Sequence, residues 1–173
     1  MADINKLAPI IFRWEGGYAN NKHDHGGPTN MGVTLSTWKQ IGYDKDGDGD
    51  IDIDDIKLLT KNDVMFVLRR YWNRWKADDI KNQSIANILV DWVWGSGKWG
   101  IVYPQQLLGV KADGIVGPKT LAAVNNYPNQ KELFDKIKAR REKHFRDICK
   151  KDNTQYTNLN GWLNRLRSFK FEE

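Results

Sequence analysis

A chain of 173 residues, 40% hydrophobic and 28% charged, reads as an ordinary soluble globular protein, long enough for one sizeable core and short for two. The formal charge of +5 and pI near 9.2 help a protein concentrate on an anionic polymer, whether nucleic acid, anionic membrane or bacterial cell wall, although a solvated basic surface accounts for most of the lysines. The basic residues are dispersed (Arg69–Arg70, Lys138 to Lys143, Lys150–Lys151) rather than gathered in an arm, which argues against nucleic acid.

In chain order, Ile4, Leu7, Ala8, Ile11 and Trp14–Glu15 follow the spacing of one helix face, with Asp3 as N-cap and Gly16–Gly17 as the stop. The segment from Tyr18 to Val33 is rich in Gly, Asn, Asp and His and predicts an irregular loop or small hairpin. Tyr43 to Asp55 is an acidic loop. Thr60 opens a second helix, with Val64, Val67, Leu68, Tyr71, Trp72 and Trp75 on its stripe. Ile85, Ile88, Leu89, Trp92 and Val93 make a third, ended by Gly95-Ser96-Gly97. Gly109 to Gly117 is a turn region, and Pro118 at a first-turn position opens a short helix through Leu121 and Val124. A long helix runs from Gln130 to Cys149, and Trp162, Leu163, Leu166 and Phe169 form the last. No stretch alternates as a central strand does. The expected fold is mainly α: a single helical domain with a loop or hairpin after the first helix and an inserted acidic loop.

The single cysteine, Cys149, leaves no intrachain disulfide. No apolar run approaches the roughly 20 residues of a membrane span, and Met1 to Arg13 lacks the long apolar stretch of a secretory signal. Synthesis in the cytoplasm as a monomer is expected, with any target outside reached only after release. Eight tryptophans is a high count; most belong in a core, and a few exposed ones suit sugar rings.

Glu15 ends an apolar helix directly before two glycines. Its neighbours Ile11, Phe12, Trp14 and Tyr18 are placed to desolvate it, and burial disfavours a charged carboxylate. Glycoside hydrolysis needs one protonated acid and a second group across the sugar. Asp24 and Thr29, in a glycine-rich turn that can fold back over the helix end, are the candidates to hold an attacking water. A glutamate that merely caps or solvates a helix end fits the spacing equally well.

Asp44-x-Asp46-x-Asp48-Gly49-Asp50-Ile51-Asp52-x-x-Asp55 has the spacing of an EF-hand calcium loop. Oxygen ligands fall at positions 1, 3, 5, 9 and 12, with the sharp-turn glycine at 6 and the Asp50 carbonyl at 7. The twelfth residue is Asp, a shorter arm than the usual Glu. Seven aspartates between Asp44 and Asp55 repel one another without a cation, so the expected cofactor is a structural Ca2+ on Asp44, Asp46, Asp48, Asp50, Asp52 and Asp55.

Trp14-Glu15-Gly16-Gly17-Tyr18, with Asn21, Asp24, Gly26-Gly27, Thr29-Asn30 and Gly32-Val33-Thr34, resembles the opening of the family 108 glycoside hydrolases. That family contains N-acetylmuramidases of phage lysis systems and bacterial secretion loci. The resemblance implies a lysozyme-like α+β fold and carries the signature glutamate onto Glu15. The Glu–Asp–Thr order also resembles phage-type lysozymes, which carries Asp24 and Thr29 over as cleft residues. Gln105 to Val110 followed by Asp113-Gly114-Ile115-Val116-Gly117-Pro118-Lys119-Thr120-Leu121 resembles a peptidoglycan-binding motif, and Gly161-Trp162-Leu163-Asn164-Arg165 resembles the family's closing helix. A catalytic region over 1–100, with its insert at 44–55, and a wall-binding region over 101–171 are therefore expected within one globule. The implied activity is hydrolysis of the β-1,4 bond between N-acetylmuramic acid and N-acetylglucosamine. A lytic transglycosylase, a wall-binding or secretion-accessory protein, and a calcium-dependent interaction module are the rivals.

Overall fold

In the computed structural model, which describes residues 1–19 and 27–173, the protein is mainly α, with nine α-helices and one two-stranded sheet among the described residues. The chain forms two compact units, 8–70 and 1–7 with 71–173.

The smaller unit holds most of helix α1 (Ile4–Trp14). As its pattern predicts, α1 is capped by Asp3, whose carboxylate accepts from the Asn5 amide at 2.9 Å, and it buries Ile4, Leu7, Ala8 and Ile11. A hairpin follows, β1 (Thr29–Asn30) pairing antiparallel with β2 (Val33–Thr34), Asn30 opposite Val33. Its two-residue turn places Met31 at φ 49° and Gly32 at φ 83°, the double left-handed geometry that matches strand twist. Helix α2 (Leu35–Ile41), which periodicity does not reveal, is capped by Thr34 and buries Trp38. Gly42 closes it with its Cα against the Trp38 ring, where any side chain would collide. The acidic loop ends in helix α3 (Ile53–Lys57), two residues before the loop's predicted end. Thr60 and Asp63 then exchange capping hydrogen bonds at the start of helix α4 (Lys61–Arg74).

In the larger unit the central element is helix α5 (Gln83–Ser96), whose residues from Ser84 to Val93 are all buried except Asn87. The unit also holds α6 (Trp99–Leu108), α7 (Pro118–Asn125), α8 (Gln130–Lys151) and α9 (Tyr156–Ser168). α5 packs on both α6 and α8, and α8 packs on α9. The last helix begins at Tyr156, before the apolar stripe that marks it in sequence. Helix α6 is not anticipated at all, because it contains both Gly100 and Pro104. Gly100 sits where an added Cβ would lie 2.5 Å from the Val93 amide, so α6 crosses α5 backbone to backbone. Pro104 has no N–H for the Gly100 carbonyl one turn back. The buried Trp75 indole supplies that donor, Nε1 to Gly100 O at 3.1 Å. No helix among the described residues is long and apolar enough to cross a membrane.

Candidate active site and acidic loop

Glu15 lies one residue past the end of α1, its amide still donating to Ile11 O at 2.9 Å. The side chain is partly buried; Tyr18, read in sequence as one of its desolvating neighbours, is 40% exposed. The hairpin is anchored beside Glu15. Met31 N donates to Gly16 O at 3.0 Å, Ala19 and Thr29 exchange both backbone bonds at 2.8 Å, and the Asn30 amide donates to the Ile56 carbonyl at 2.9 Å. The turn therefore sits on the Glu15 carboxyl. A Cβ built on Gly32 would lie 2.6 Å from Glu15 Cδ and 2.7 Å from Oε2. Thr29, on β1, belongs to this same anchored segment. Asp24 lies outside the described residues.

Of the six aspartates expected to hold an ion, four draw together: carboxylate oxygens of Asp44, Asp46, Asp48 and Asp55 lie within 4.8 Å of one another. The Asp52 carboxylate instead caps α3, accepting from Asp54 N at 2.9 Å, and it groups with Asp48 and Asp50. Backbone amides wrap the loop around its carboxylates. Asp44 accepts from Gly47 N and Gly49 N at 2.8 Å, and the fully buried Asp55 accepts from Lys45 N at 2.6 Å and Asp52 N at 2.7 Å. Such bonds hold the Asp55 carboxyl below the usual range, the Asp52 amide contributing most. Lost solvation and the neighbouring carboxyls push Asp46 up to about 6, and Asp48 does the same to Asp50. Lys45 ties the loop to α4 through a 2.6 Å ion pair with Asp63, which raises the lysine's pKa.

The Asp113 to Thr120 element is tied together by Gln105. The fully buried Gln105 amide donates to Ile115 O at 3.0 Å, Thr120 Oγ1 at 3.2 Å and Asp113 Oδ1 at 3.3 Å, and its carbonyl accepts from Gly114 N at 2.9 Å. This network builds a turn. Sequence reasoning missed a second polar cluster, in which the fully buried Asp91 meets Arg141 at 2.9 Å and Arg165 at 2.6 Å. Burial raises the Asp91 pKa, but the Arg165 and Arg141 charges outweigh it and hold the carboxyl below its ordinary value. Arg165 is part of the closing-helix motif, so its position there has a structural reason.

The profile described as glycosyl hydrolase 108 matches residues 8–97, and the one described as a predicted peptidoglycan domain matches residues 99–167. A solved structure of SagA from Brucella abortus is similar over 95% of this chain and 94% of that one, with 27% identity and a TM-score of 0.73. No curated protein matches the chain. These matches assign a lysozyme-like glycosidase role with peptidoglycan as the substrate class.

Proposed function

The chain belongs to glycosyl hydrolase family 108, and on that footing we propose that it is an N-acetylmuramidase with Glu15 as its general acid. It hydrolyses the β-1,4 bond between N-acetylmuramic acid and N-acetylglucosamine. The observation that carries this reading is the clamp on Glu15: a carboxyl at a helix end, pressed against the Cα of a positive-φ glycine in an anchored turn. Such a fixed carboxyl can present its proton to one glycosidic oxygen. The C–O bond breaks as that oxygen takes the proton, and a water attacks the anomeric carbon from the opposite face. Asp24 and the Thr29 hydroxyl orient that water, Asp24 accepting its proton. Glu15→Gln keeps the shape and removes the acid. Clearing of purified peptidoglycan should fall to below about a tenth of wild type while the fold and sacculus binding persist. A Gln variant that clears faster than this moves the chemistry elsewhere.

The convergence of Asp44, Asp46, Asp48 and Asp55 supports a second element of the reading. We infer one structural Ca2+ per chain, held by these four carboxylates with the Asp50 carbonyl and, through water, Asp52. An ion bound only by the native state adds about 2.7 kcal/mol at a hundredfold excess over Kd. Chelation should therefore lower the melting temperature, and calorimetry should count one ion. No binding at millimolar calcium would end the calcium reading and leave the muramidase reading intact. On this account the protein works at the cell wall after release, as an endolysin or secretion activator.

A further inference from the structure

Four of the eight tryptophans, Trp38, Trp72, Trp75 and Trp92, are fully buried, whereas Trp99 at the start of α6 is 41% exposed. It does not stand alone. Trp99 stacks on Tyr103 one turn on, with centroids 5.3 Å apart and planes 22° from parallel. Tyr103 is fixed in turn by the His144 edge at 5.0 Å and by the Arg140 guanidinium 3.7 Å from its centroid. His144 is itself held by the Trp92 indole, which donates to its Nδ1 at 3.2 Å. The exposed indole therefore belongs to a rigid shelf carried by α6 and α8, and such preorganised aromatics lose little entropy on binding.

The charge around the shelf is positive. Lys98 lies 4.9 Å from the Trp99 centroid. Among the described residues no carboxylate forms an ion pair with Arg140; Asp147, on the same helix, pairs with Lys143 at 2.8 Å. A half-exposed indole beside two cations that form no ion pair among the described residues, Arg140 over Tyr103 and Lys98 over Trp99, fits a ligand with an apolar C–H face and a carboxylate a few ångströms away. A glycan strand bearing acidic stem peptides has both, on one repeating unit.

We propose that Trp99, Tyr103, Arg140 and Lys98 form a recognition surface for peptide-bearing peptidoglycan, with a sugar ring on Trp99 and a stem-peptide carboxylate on Arg140 and Lys98. This rests on the wall-substrate reading above but uses none of the residues assigned to catalysis. The test uses the full-length Glu15→Gln protein, which cannot consume its ligand. Two probes are sedimented with it: intact sacculi, and glycan strands stripped of stem peptides by an amidase. Adding Trp99→Ala should weaken binding to both by about tenfold, and Trp99→Phe should restore most of it. Adding Arg140→Gln should weaken binding to intact sacculi only. If the parent binds sacculi and both additions leave that binding unchanged, the surface is refuted while the wall-substrate reading stands. Equal weakening on both probes by Arg140→Gln overturns the carboxylate contact. A parent that fails to bind sacculi overturns the proposal together with the reading beneath it.

Discussion

Gly32 couples two demands at one position. Its φ of 83° is a conformation that side chains other than glycine rarely adopt, and its Cα closes on the Glu15 carboxyl. Alanine there costs about 1–2 kcal/mol in backbone strain and drives a methyl into Glu15 Cδ. Gly32→Ala should lower kcat on purified peptidoglycan at least about tenfold, since small misplacements of a catalytic group are expensive. Its melting temperature should fall by only a few degrees. Unchanged turnover in a folded Gly32→Ala protein would show that the turn does not position Glu15. The position of Glu15 at a helix end is legible in the sequence because its W-E-G-G-Y setting is local. The contact of Gly32 with it is not, because it depends on a hairpin returning from further along the chain. Asp113 and Thr120 are legible as part of the segment that resembles a peptidoglycan-binding motif, and the peptidoglycan domain matches there; the buried Gln105 that donates to Asp113 Oδ1 and Thr120 Oγ1 is the part that spacing does not reveal.

Among the elements, those read well from the sequence are the ones whose stability comes from a clean apolar stripe. α1, α5, α7 and α8 begin and end within about two residues of their sequence signals. α6 escaped because its compensations are tertiary: Trp75 replaces the donor that Pro104 lacks, and Gly100 earns its place by close packing on α5. The seam between α5 and α8 carries a pH dependence that no local pattern foretells. His144 on α8 is 7% exposed, and burial, followed by the Arg140 and Arg141 charges, lowers its pKa to about 4. The unfolded chain takes up this proton near pH 6.5, before the native state does. Stability from this group is therefore full above about pH 6.5, falls as pH drops towards 4, and is flat below. The lost stability is a few kcal/mol at most. Urea melts at pH 4.5 and pH 7.5 should differ less for His144→Gln than for wild type. Equal differences in the two proteins would assign the acid sensitivity to other groups.

At the scale of the whole molecule, the compact units and the matched families divide the chain differently. The hydrolase profile spans 8–97, whereas the smaller unit ends at residue 70, so the hydrolase region draws on both units. The sequence revealed the mainly helical class, because apolar periodicity and capping residues recur along the chain. It could not reveal the two-unit division, since α1 and α4 each run through a boundary as single helices. The assignment of chemistry rests on the glutamate and on a water delivered opposite it. Mass analysis of muropeptides released from purified sacculi tests that most directly. A muramidase adds water at the anomeric carbon, so its products should carry ordinary reducing N-acetylmuramic acid ends. If instead the 6-hydroxyl of that sugar closed on the same carbon, the products would be 1,6-anhydro rings lighter by one water. Reducing muramic ends that vanish in Glu15→Gln are the predicted result; predominantly anhydro ends, or reducing N-acetylglucosamine ends, would contradict it.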